Sequence, residues 1–124
     1  MDAFAFPDKT QEYDGAQTIN VKYLGGVGTV QWDLRTQQNA EIVLGANVTM
    51  ATPTGWKNGR LVMLEVIQDA TGGRTITWAS TFLNMTGATL GTTAGSSNIM
   101  TFKCCTVSGQ PRFCLMSNLT NTRA

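Results

Sequence analysis

A chain of 124 residues, 42% of them hydrophobic, is long enough to bury one substantial core but not two. Only 14% of its residues are charged, and a net charge of +1 offers no electrostatic footprint for nucleic acid or an anionic membrane. No apolar run approaches the length of a transmembrane helix, and the absence of histidine removes Ser-His and Cys-His nucleophile systems along with the commonest metal ligand.

Residues 1–15 show no period. Phe4, Phe6 and Tyr13 sit there among Asp, Lys, Gln and a proline. The segment reads either as a frayed terminus or as an extended arm whose aromatics dock on a neighbouring subunit. Asp2 and Pro7 stand where a secretion signal would carry basic charge and an apolar run, which predicts synthesis in a cytoplasm. Residues 16–118 are expected to form the folded domain and residues 119–124 a polar tail.

Ala16 to Tyr23 alternates Ile19, Val21 and Tyr23 with polar residues, the pattern of a half-buried strand. Gly25-Gly26-Val27-Gly28 is a turn. It lacks the Gly-Lys-Ser/Thr ending and the following helical pattern of a phosphate loop. Thr29 to Arg35 alternates again with Val30, Trp32 and Leu34 inward, and Ala40, Ile42 and Leu44 share one face of the next strand. After a break at Gly45-Ala46-Asn47 the strand continues over Val48 to Ala51. Thr52 to Asn58 holds Pro53, Gly55 and Trp56 and must be a loop. Trp32 and Trp78 fall on inward positions, so Trp56 is the better candidate for an exposed contact.

Leu61 to Ile67 is apolar except for Glu65. Such a run fits a strand covered on both faces, or on one face plus a neighbouring subunit. Asp69 can hydrogen-bond its own backbone two residues on, and Gly72-Gly73 can take positive φ, so a tight reversal is expected, with Thr75 to Trp78 returning beside the first strand as a hairpin. In one register Arg74 would neutralise Glu65; alternatively Glu65 faces a subunit interface. Ser80 to Ser97, rich in Thr and Gly, reads as a long interaction loop with short strands near Phe82 and Leu90. Asn98 to Val107 places Met100, Phe102 and Cys104 on one face. Ser108-Gly109-Gln110 turns the chain, and Arg112 to Ser117 returns with Phe113 and Leu115 inward.

Cys104 and Cys105 point to opposite faces of a regular strand and cannot chelate one ion together, while Cys114 could lie across the hairpin from either. With no nearby fourth ligand for zinc, free structural thiols are expected. The eight carboxylates show no spacing that forces the facing pair a glycosidase needs. Seven to nine strands, turns every 8–12 residues and no 3.6-residue period give an all-β fold, an antiparallel β-sandwich or barrel.

The string QDATGGRTITW, Gln68 to Trp78, resembles a module of bacteriophage virion proteins found in tail-fibre, receptor-binding and head-decoration contexts. The resemblance extends over Ile42 to Asn118, taking in IVLGANVTMATP before the turn and the Thr-Phe strand after it. It implies a jelly-roll-like sandwich and a non-enzymatic virion structural protein without cofactors. The reading preferred on size is a capsid decoration (cement) protein. It would bind the major capsid protein, associate as a homotrimer and stabilise the head lattice. The alternative is a tail, fibre or neck component contacting host surface glycans through Trp56 and the 80–97 loop. Neither involves nucleic acid or membrane. Phe4, Phe6, Tyr13, Trp56, Glu65 and Arg74 are the candidate interface residues.

Overall fold

The computed structural model describes residues 21–121, so the expected arm with Phe4, Phe6 and Tyr13 lies outside the described residues. Nine strands are described: β1 (Lys22–Leu24), β2 (Thr29–Val30), β3 (Asn39–Leu44), β4 (Val48–Met50), β5 (Leu61–Gln68), β6 (Ile76–Trp78), β7 (Phe82–Leu83), β8 (Ser97–Val107) and β9 (Gln110–Asn121). A single 3₁₀ turn, Met85–Gly87, follows β7. A six-stranded sheet has the order β1-β3-β5-β8-β9-β7, and a three-stranded sheet the order β2-β4-β6.

From β1 to β6 successive strands alternate between the two sheets. Each therefore lies beside the strand two before it and runs the same way: β1 with β3, β3 with β5, β2 with β4, and β4 with β6 are all parallel. Parallel neighbours need a crossover, and here the strands of the opposite sheet supply it in place of helices. The winding is that of a short β-solenoid. A parallel bridge between Asp33 and Thr54 adds a further contact between successive coils. The coil ends in an antiparallel β8–β9 hairpin laid against β5, with β7 joining β9 in parallel.

The expected antiparallel, jelly-roll-like pairing is thus corrected, while the all-β class holds. The central hairpin is corrected too: β5 belongs to one sheet and β6 to the other, so Gln68 to Ile76 carries the chain between sheets. Alternation reports which face a residue takes; it carries no information about the partner strand. The final hairpin is as expected. Val107 pairs with Gln110 across Ser108 and Gly109, which both take positive φ (52° and 77°), the two-residue turn whose twist suits a hairpin. Strand β9 then runs on to Asn121, past the point where its alternating pattern ends.

One core fills the space between the sheets. Val30, Trp32 and Leu34, Ala40, Ile42 and Leu44, and Met100, Phe102 and Cys104 are all buried, as their alternation requires, and Val62, Leu64 and Val66 of the apolar run join them. Phe102 is the hub, with its ring centroid 6.0 Å from Trp32, 5.8 Å from Trp78 and 5.4 Å from Phe82. Strand β5 buries one face only. Val62, Leu64, Val66 and Gln68 point inward, while Leu61 and Met63 are exposed on the outer face of the sheet. Tyr23, Val43 and Leu119 are also exposed apolar residues of this sheet.

Candidate functional site

One cleft able to hold a ligand lies at the crossover after β5. Asp69 forms the expected turn: its Oδ1 accepts the Thr71 and Gly72 N–H groups, both at 3.0 Å. The guanidinium of Arg74 closes on the same carboxylate, Nη2 to Oδ2 at 3.2 Å. Arg74 thus pairs with Asp69 rather than reaching across a hairpin to Glu65. Glu65 sits on β5 in register with Glu41 of β3 and Ile99 of β8. The Arg74 hydrogen bond, followed by the Gly72 N–H, holds the Asp69 carboxyl below its usual range.

Beside this turn lies a cleft of about 260 Å³. Ile76 and Trp78 of β6, an edge strand, line one side. Ala88, Thr89, Leu90 and Thr92 line the other, and Arg74 and Thr75 also line it. Trp78 is half-buried, anchored on Phe82 at 5.0 Å between ring centroids. Two buried carboxamides fix the walls. Gln68 Nε2 donates to the carbonyls of Arg74 (2.8 Å) and Gly91 (3.0 Å), and its Oε1 accepts the Arg74 N–H at 2.9 Å. Asn98 Oδ1 accepts the Gly91 N–H at 2.9 Å, while its Nδ2 donates to Thr89 O, Asn118 Oδ1 and Thr120 Oγ1. Asn118 in turn donates to Gly87 O and Thr89 O, each at 2.9 Å. The long 80–97 loop is therefore tied down by side chains from β5, β8 and β9. A short strand forms at Phe82 as expected, but none at Leu90.

Arg74 Nε is buried and meets no acceptor among the described residues. Buried donors of this kind are rare and costly.

Trp56, the other sequence candidate, lines a separate pocket with Arg35, Gly55, Lys57 and Arg60. Sequence reasoning missed Gln68 and Asn98. Both occupy inward positions of an alternating strand, Gln68 after Val66 and Asn98 before Met100, and a polar residue continuing an inward face was the available signal.

At the hairpin, Cys104 is buried and Cys105 and Cys114 are half-buried; all three are free thiols. Cys105 and Cys114 approach to 2.9 Å between sulfurs. Burial pushes the Cys104 thiol up, and hydrogen bonding to Cys105 raises that of Cys114. Among the described residues no group of three His, Cys, Asp or Glu side chains is placed to hold a metal ion.

A family model described as "Putative phage tail fibre C-terminal domain" matches residues 29–109, about two thirds of the chain. The chain belongs to this family. It is a structural component of a phage virion. The match spans the coil from β2 onward, both pockets and β8, and it stops in the turn at Gly109. No curated protein and no solved structure matches the chain.

Proposed function

We propose that this tail fibre domain is a receptor-contact module that seats a saccharide of the host surface in the cleft between β6 and the 88–92 segment. The observation that carries the reading is the half-buried Trp78, which lines the cleft together with Ile76, Leu90 and Arg74. An indole beside apolar Ile76 and Leu90 suits the C–H face of a sugar ring. Arg74, Thr75, Thr89 and Thr92, which also line the cleft, supply polar partners for its oxygens. A cleft of about 260 Å³ has room for a ring or two rather than a long chain. Its walls are held by Gln68 and Asn98, so little ordering is needed on binding.

The test is an array of bacterial surface saccharides probed with the purified chain and with Arg74→Met and Leu90→Asp. Binding by the wild type that both substitutions reduce at least tenfold, with folding unchanged, is the expected result. Wild-type binding that survives both substitutions, or no binding to any saccharide, overturns the reading. The copy number per virion separates the tail from the head lattice. A handful, in multiples of three or six, is expected for a tail fibre, whereas hundreds would restore the head-decoration reading.

A further inference from the structure

The loop between β4 and β5 folds over the end of the first coil. Leu34 N–H donates to Thr54 O at 2.8 Å and Thr54 N–H to Trp32 O at 2.9 Å, which sets the 53–59 segment against Asp33 and Arg35. Gly55 makes the approach possible. Its φ is +68°, and a Cβ there would lie 2.5 Å from Arg35 Cγ and 2.8 Å from Asp33 Oδ1. The result is a pocket of about 240 Å³ lined by Arg35, Gly55, Trp56, Lys57 and Arg60.

Its charge is out of proportion to the chain. The whole molecule carries +1, yet three of its nine basic residues meet here. Among the described residues the carboxylate paired here is Asp33, which grips Arg35 alone, with Oδ1 to Nε at 3.1 Å and Oδ2 to Nη2 at 3.4 Å. That pairing fixes Arg35 without balancing Lys57 and Arg60. Arg60 is held as well: Nη1 donates to Leu34 O (3.0 Å) and Gly55 O (3.3 Å), leaving Nε and Nη2 without a protein acceptor among the described residues. Trp56 is half-buried against the core and gives the pocket one apolar wall.

We propose that this pocket binds a single anionic oxygen group, the carboxylate or phosphate of an acidic saccharide. A fixed guanidinium with open donors recognises such groups directionally, and an exposed lysine adds a mobile point charge. The cations line one concave site beside an indole, on a chain whose net charge is only +1, which favours one anionic group over a nucleic-acid backbone. The saccharide rests on the receptor-contact reading; the preference for an anion rests on the pocket alone.

The indole N–H region of a ¹⁵N-correlated NMR spectrum tests both readings at once, because the three tryptophans occupy three environments. Trp32, buried and donating to Gln37 O, is the control. Trp56 reports this pocket and Trp78 the other cleft, each assigned by its Phe variant. The probes are a galacturonate oligomer, a glycerol-phosphate oligomer and a neutral glucose oligomer of equal length. Trp56 is expected to shift saturably with an acidic probe and not with the neutral one, binding weakening as salt rises. The double variant Arg35→Gln/Lys57→Gln, at two exposed positions, should weaken that binding at least tenfold. Whichever acidic probe binds identifies carboxylate or phosphate as the source. A Trp56 signal that stays still, that moves equally with the neutral probe, or that responds unchanged in the double variant overturns the proposal. Movement of Trp78 alone would overturn it while leaving the receptor-contact reading standing, and movement of Trp56 alone would support it, leaving the Trp78 cleft to be judged by the saccharide array.

Discussion

Two turns in this chain look alike as sequence and do opposite things. Asp69 to Gly73 and Ser108-Gly109 each put glycine between apolar alternating runs, and each turn takes positive φ, at Gly72 and Gly73 in one and at Ser108 and Gly109 in the other. The second is a hairpin: two residues long, it returns the chain to the same sheet, and β8 and β9 pair along their length. The first hands the chain to the other sheet. Between Gln68 and Ile76 the backbone bonds to the side chains of Gln68 and Asp69, and β6 pairs with β4 instead of β5. The difference is therefore one of length and of what satisfies the turn's polar groups. A two-residue turn satisfies them through the ladder that it closes. The longer turn uses side chains, and those side chains shape the cleft.

The largest expected effect comes from removing the side chain that makes the longer turn possible. Gln68 is buried with its carboxamide fully engaged. Gln68→Leu keeps the volume but strands the Arg74 N–H and the carbonyls of Arg74 and Gly91. At about 1–3 kcal/mol for each stranded group the loss should be roughly 4 kcal/mol. Chemical denaturation would check it, and a loss under about 1 kcal/mol would mean that the carboxamide does not hold the crossover.

Alanine at the two glycines sharpens the contrast. At Gly109 a Cβ meets nothing within 4 Å, so Gly109→Ala should cost only the left-handed conformation, about 1–2 kcal/mol. At Gly72 the φ is +74° and a Cβ would lie 2.6 Å from Thr92 O and 2.9 Å from Ala94 N. Backbone must move there, so Gly72→Ala should cost roughly 3 kcal/mol. It should also disturb the Trp78 signal, because Thr92 lines the cleft. Equal costs at the two sites would show that the crossover tolerates displacement as freely as the hairpin turn.

The contrast also marks what was legible in the sequence. Period-two alternation located the strands and most of the inward residues, because face is a local property: Val30, Trp32, Leu34, Ile42, Phe102 and Phe113 are all buried where their spacing puts them. Turn chemistry identified the Asp69 turn and the Ser108-Gly109 hairpin. Pairing was not legible, since a strand patterned for one sheet suits a parallel or an antiparallel neighbour equally well. The candidate site divided on the same line. Trp56 was visible as a loop aromatic and Arg74 as a counter-charge for Glu65; each lines a pocket, Arg74 with Asp69 as its partner. Their companions come from distant segments, Arg35 beside Arg60 and Thr92 beside Trp78, and only the coil brings them together. Leu61 and Met63 made β5 read as covered on both faces, or on one face plus a neighbouring subunit; the chain itself covers one face only and leaves these two exposed. Leu61→Ala should accordingly change stability by no more than about 0.5 kcal/mol, against roughly 2–5 kcal/mol for Leu64→Ala on the buried face.

Acid offers the gentlest way to separate the two turns. The Asp69 carboxyl is held below its usual range, chiefly by Arg74 and then by the Gly72 N–H. A carboxylate whose folded pKa is depressed adds stability above its unfolded value, near 4, and loses it as pH falls through the lower folded value. The crossover should therefore loosen as the pH drops below about 4. The Ser108-Gly109 turn contains no carboxylate, so it should not follow. The Thr71 and Gly72 amides, which donate to Asp69, should lose protection from hydrogen exchange, corrected for intrinsic rates, as the pH is lowered below about 4, while the β8–β9 amides next to Ser108 keep theirs. Asp69→Asn retains an oxygen for the Thr71 and Gly72 amides but cannot titrate. Its exchange should be flat over that range, at the modest cost of the Arg74 ion pair. Asp33, lowered in the same direction by Arg35, is an internal comparison on the other pocket, and Asp33→Asn should leave the crossover profile unchanged. Were the crossover and hairpin amides to lose protection together, acid would be unfolding the domain as a whole, and the carboxylate would not be the local latch that its geometry describes.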